Sequence, residues 1–97
     1  MPPSQDLKSV EMQDLRREAG RWLADLRDRA GLSQRQLAHA VGSEFYTFIS
    51  QIESGKGRIP PDKYQLWAKA LEISPREFAK GILSFYDPVT YHILFDG

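Results

Sequence analysis

The 97-residue sequence contains no cysteine. That absence removes disulfides, thiol nucleophiles and the usual thiolate zinc site together, and it suits a reducing cytoplasm. Net charge is missing too: 13 Lys and Arg stand against 13 Asp and Glu. No field of one sign therefore draws the whole chain to nucleic acid or to a membrane surface, although phosphate binding needs only local positive charge. No apolar run approaches the roughly 18 residues that cross a bilayer, and no basic-then-apolar leader opens the chain, so a soluble cytoplasmic protein is expected. His39 and His92 are isolated, and there are no paired carboxylates, no nucleophile beside a base and no phosphate-cradling glycine loop. The expectation is a non-enzyme with no cofactor, no metal and no small-molecule ligand. Each histidine reads as a surface or packing residue.

What is present fits one small domain. Residues 1–10 carry Pro2, Pro3, Ser4 and Gln5 without a sustained apolar period and read as a disordered arm. From Glu11 to Ala30, Leu15, Ala19, Trp22, Leu23, Leu26 and Ala30 recur at three and four, the stripe of an amphipathic helix ended by Gly31. The opposite side alternates charge, from Arg16, Arg17 and Glu18 to Asp28 and Arg29, and reads as a solvated face. Trp22, on the apolar stripe, reads as a core or interface anchor.

The stretch from Ser33 to Gly55 predicts two short helices joined by a tight turn. Ser33 and Gln36 form a capping box, Leu37, Ala38 and Val41 share a buried face, and Gly42 closes the first helix. Ser43 is the expected cap of the second, which carries Phe45, Phe48, Ile49 and Ile52 inward and Tyr46, Thr47, Ser50, Gln51 and Ser54 outward. Phe48 is open between core and an apolar contact with thymine. Lys56 to Pro61 is a loop whose Lys56 and Arg58 can meet phosphates. Pro61 then opens a helix with Tyr64, Trp67, Ala68 and Leu71 inward. Ser74-Pro75-Arg76-Glu77 is a second capping box, starting a helix that holds Phe78, Ile82 and Phe85. After it, Asp87-Pro88 starts a short helix, while the alternation of Val89, Tyr91, Ile93 and Phe95 allows an extended arm. In either form, these large apolar groups need cover from their own domain or a second copy.

Gly31-Leu32-Ser33-Gln34, Leu37-Ala38 followed by Gly42, Ile49 through Gly55 and Ala68 through Ile73 together resemble the Xre-like helix-turn-helix domains of phage Cro and repressor type. The resemblance covers about Trp22 to Phe85. It departs in one place: the apolar residues of the second helix arrive one position late, which puts an extra residue between Gly42 and Phe45. It implies an all-α bundle of about five helices, lambda-repressor-like, over 11–85, with 86–97 as a helix or arm and possible dimerisation element. It also implies an Arg27–Glu53 pair, a bacterial or phage origin, and double-stranded DNA as partner. Gln34 would hold a phosphate and brace the recognition helix, with Arg35 beside it. Tyr46, Thr47, Ser50 and Gln51 would read bases, and Lys56 and Arg58 would hold phosphates. A homodimeric repressor reading a palindromic site follows, since one such helix spans too few base pairs for useful specificity. The rival is a protein-interaction module of the same fold, an antitoxin or adaptor, consistent with zero net charge and an apolar tail.

Overall fold

The first helix, α1 (Ser4–Arg29), packs against the third and fifth helices of the chain. The computed structural model describes residues 4–96, with side chains described from Glu11 onward. Of the arm expected over 1–10, the backbone of 4–10 opens this helix, and residues 1–3 lie outside the described residues. There follow α2 (Gln34–Ala40), α3 (Tyr46–Glu53), a 3-10 turn (Pro61–Lys63), α4 (Tyr64–Ala70), α5 (Pro75–Tyr86) and α6 (Pro88–Phe95). No strand occurs among the described residues, and no helix there is long and apolar enough to cross a membrane.

The expected apolar stripes meet in one core. Leu23 of α1, Leu37 and Ala38 of α2, Ile49 and Ile52 of α3, Trp67 and Ala68 of α4, and Phe78 and Ile82 of α5 are all buried, with Val41, Ile59 and Leu71 between elements. Each large side chain taken from water contributes about 1.5–3 kcal/mol. Trp22 caps one end of this core. It stacks on Phe78 at 5.8 Å and tilts against Phe85 at 5.7 Å, in a seat cut at Gly81, where a Cβ would lie 2.4 Å from the indole ring.

Local chemistry sets most helix ends. Ser33 and Gln36 cap α2 reciprocally, as the sequence predicts: the Gln36 amide donates to Ser33 Oγ at 3.0 Å, and the Ser33 amide donates to Gln36 Oε1 at 2.8 Å. At α5 only half of the expected box forms. Ser74 Oγ accepts from the Glu77 amide at 3.0 Å, with no return bond from the Glu77 side chain among the described residues. Asp87 caps α6, accepting from the Thr90 amide at 3.1 Å and from its hydroxyl at 2.6 Å, with Pro88 in the first turn. The Thr90 bonds hold the Asp87 carboxyl below its usual range. The tail is thus a helix rather than an extended arm. It folds back on α5, burying part of Tyr91, while Val89, Ile93 and Leu94 remain 70%, 69% and 63% exposed.

Candidate nucleic-acid interface

Gly42 closes α2 with φ 72°, a left-handed conformation in which a side chain would be strained. The Ser43 amide returns to Ala38 O at 2.8 Å and the Gly42 amide to His39 O at 3.2 Å, the doubly bonded helix stop. This stop overturns the expectation that Ser43 caps α3. Its amide is committed to α2, and its hydroxyl donates to the Phe45 carbonyl at 3.1 Å instead of accepting from α3. The residue at the cap position is Phe45, with an extended backbone and no side-chain cap bond. Residues 41–45 thus separate the two helices, and α3 begins at Tyr46.

Phe45 was expected to point inward with Ile49 and Ile52, but it is 67% exposed. Helical spacing predicts a face only within a helix, and Phe45 lies just outside one. It is the residue that sequence reasoning misplaced: a phenyl ring stands exposed at the start of α3. Phe48 is half-buried against the core, beside Val41, Pro60 and Trp67.

The inner side of α3 is held by charge as well as by Ile49 and Ile52. Arg27 Nε donates to Glu53 Oε2 at 2.7 Å and Arg27 Nη2 to Oε1 at 3.1 Å, a bidentate pair. Arg27 Nη1 also reaches the Leu32 carbonyl at 2.8 Å, so one guanidinium ties α1 to both the entrance of α2 and the end of α3. Gln34 Nε2 completes the arrangement by donating to Glu53 Oε1 at 3.0 Å. The Arg27 and Glu53 side chains are only 14% and 8% exposed. The hydrogen bond to Glu53 raises the Arg27 pKa above its already high ordinary value, against the opposing effect of burial. Loss of one partner from such a pair strands the other.

Two glycines let α1 come this close. A Cβ at Gly20 would lie 2.1 Å from the Glu53 carbonyl oxygen, so the end of α3 rests on bare backbone. A Cβ at Gly55 would come within 2.9 Å of Arg17, and the Gly55 φ of 85° excludes most other residues independently. Gly20 was missed at the sequence level. Its signal was available as an isolated glycine inside an otherwise regular helical stripe, which marks close packing.

The sequence-selected residues now have places. Tyr46, Thr47, Ser50 and Gln51 are all exposed along the outer side of α3. Arg35 joins them from α2, its guanidinium 4.4 Å from the centre of the Tyr46 ring. Gln34, half-buried, braces Glu53 from beneath. Lys56 follows directly, its amide bonded to Gln51 O at 2.8 Å. Arg58 is drawn elsewhere, onto Tyr86 at 4.7 Å, while the Tyr86 hydroxyl accepts from the Ile59 amide at 3.2 Å. Burial raises the Tyr86 pKa, which keeps that hydroxyl neutral as it pins the loop to α5. His39 and His92 are both exposed, the second paired with Asp96.

This is a helix pair clamped from behind and open in front. A family model described as helix-turn-helix matches residues 23–78. The chain belongs to the helix-turn-helix family. No curated protein matches the chain. The matched segment runs from Leu23 through the α2–α3 pair and α4 to Phe78 at the start of α5. It bears out the Xre-like resemblance and the all-α fold, and makes the protein a helix-turn-helix regulator of DNA-binding type. Most of α1, the greater part of α5 and all of α6 of this helix-turn-helix protein lie outside the matched segment.

Proposed function

We propose that this helix-turn-helix protein is a homodimeric transcriptional repressor that binds a palindromic DNA site in the cytoplasm, with α3 in the major groove. The observation that carries the reading is the division of α3 into two sides. Behind stand Ile49, Ile52 and the clamped Glu53; in front stands the uncharged, exposed row Tyr46, Thr47, Ser50 and Gln51. A glutamine amide can bond adenine twice, and a threonine methyl or a tyrosine ring can press on a thymine methyl. Arg35 and Lys56 serve the phosphates, Arg58 joins them on leaving the Tyr86 ring, and Gln34 braces the helix through Glu53. The role is binding rather than catalysis.

A dimer extends the contact over two half-sites about 34 Å apart, one helical turn of DNA. The exposed Val89, Ile93 and Leu94 on α6 support residues 86–97 as its interface. The same apolar row favours a second reading, an interaction module gripping another protein. Binding to random duplex DNA across a salt series separates the two: a reader that neutralises several phosphates weakens steeply as salt rises, whereas the module binds no duplex even at low salt. Selection of bound fragments from a random pool then returns the half-site spacing. On the selected site Gln51→Ala is expected to cost about 1–3 kcal/mol and little elsewhere, while Lys56→Ala weakens all sequences alike. An equal loss on every sequence for Gln51→Ala would place base reading on another face.

A further inference from the structure

The charged side of α1 reads in sequence as a solvated face, yet the fold gives part of it a wall. An open groove of about 550 Å³ runs between α1 and the segment after α3, lined by Met12, Gln13, Arg16, Arg17, Ser54, Gly55 and Lys56. Three of these described lining residues are cationic and none is anionic. The close approach of Gly55 to the Arg17 backbone is what brings Lys56 alongside the α1 arginines. Arg17 has one acidic neighbour, Asp14 at 2.5 Å, with both side chains more than half exposed. Such a pair contributes little and leaves the guanidinium free to exchange partners.

Both arginines have a partial place in the fold, Arg16 half-buried beside Phe85 and Tyr86 and Arg17 in its exposed pair with Asp14, and both still line the groove. Arg27 and Arg29 lie in the last turn of α1, where cations complement the helix dipole, but Arg16 and Arg17 sit mid-helix with no such use. Like charges converging on one groove repel, and an anion between them relieves that repulsion. Gln51 ties the groove to the outer side of α3, since its carbonyl accepts both the Lys56 amide and the Ser54 hydroxyl.

The geometry points to a phosphodiester site: the groove between α1 and Ser54–Lys56 holds the DNA backbone beside the α3 contact, with Arg16 and Arg17 adding to Lys56. This rests on the DNA reading above and extends the footprint to residues ahead of the matched segment, which begins at residue 23.

The test uses the full chain carrying Arg16→Gln, Arg17→Gln, both together, or Lys56→Gln. Arg76→Gln serves as a control of equal charge. Arg76 lies in the first turn of α5, while the last turn of α5, at Phe85 and Tyr86, is the part that adjoins Met12 and Arg16. Thermal melts followed by circular dichroism check folding, and duplex affinity is measured from low to high salt. Each groove arginine lost is expected to reduce the steepness of log affinity against log salt by about 0.9, on any sequence, and the pair by about twice that. Arg17→Lys is expected to restore the slope, and Arg76→Gln to leave it unchanged. Backbone footprinting should show phosphates protected by the wild type and released in the double variant.

Unchanged slopes for both arginine variants, with Lys56→Gln still making the slope shallower, would overturn the groove while leaving DNA binding intact. An equal change with Arg76→Gln would overturn it as a general charge effect. No duplex binding by the wild type at low salt would remove the DNA reading itself, and the groove with it.

Discussion

Helices α3 and α6 are each 8 residues long, too short to persist in water unaided, and they are kept helical by opposite means. At its start α3 has no side-chain cap. It is held from a distance, by Ile49 and Ile52 in the core, by Arg27 and Gln34 on Glu53, and by the bare backbone of Gly20 beneath its last turn. By contrast α6 buries no residue fully and owes its start to neighbours in sequence, Asp87, Pro88 and Thr90. A helix fixed by remote contacts can present a defined face, because its angle is set at several points. One fixed by its own cap has a defined start and leaves its apolar side to whatever arrives.

The contrast is broken most severely at Arg27. Arg27→Met removes one partner and leaves Glu53 nearly buried without a counter-charge, so a loss of about 3–4 kcal/mol in urea unfolding is expected. A loss below about 1 kcal/mol would mean that the pair does not hold α3. Next comes Gly20→Ala, where the added Cβ meets the Glu53 carbonyl. Despite alanine's better helix propensity, an overall loss of about 2 kcal/mol is expected in the same measurement.

On the other side of the comparison, Ile93→Lys and Leu94→Lys are expected to change monomer stability by less than about 0.5 kcal/mol, because both side chains are exposed. Sedimentation should nonetheless show the proposed dimer weakened about tenfold or more for each, the size of one large apolar group lost from an interface. An unaltered association would remove α6 from the interface.

The smallest effect concerns the cap itself. The Asp87 carboxyl is held below its ordinary pKa by Thr90, so its contribution is present above the unfolded value near 3.9 and is lost as pH falls through the lower folded value. Acidification below about pH 4 should therefore lower the protection of the Thr90 amide from hydrogen exchange, relative to its intrinsic rate at each pH, before that of α3 falls, and Asp87→Asn should abolish that pH dependence.

The same contrast separates what could be read in the chain from what could not. Short-range chemistry was legible: the Ser33–Gln36 box, the stop at Gly42 and the apolar stripes that became the core all follow from neighbours within a few residues. The start of α3 was not. Ser43 has the chemistry of a cap, but the doubly bonded end of α2 takes its amide first, and Phe45 is left outside the helix and in the open. Gly20 and the second role of Gly55 depend on which backbones touch, and that is decided only when α1 and α3 have packed. The Arg27–Glu53 pair came from family likeness, as no local pattern links residues so far apart.

The stacking of Arg35 on Tyr46 bears on how quickly a surface becomes ready. A guanidinium resting on an aromatic ring has given up much of its rotational freedom before any ligand arrives, so fixing it later takes less from the affinity. Tyr46→Phe keeps that platform and loses only the hydroxyl. Tyr46→Ala sets the arginine swinging, and the encounter must then do what folding had already done.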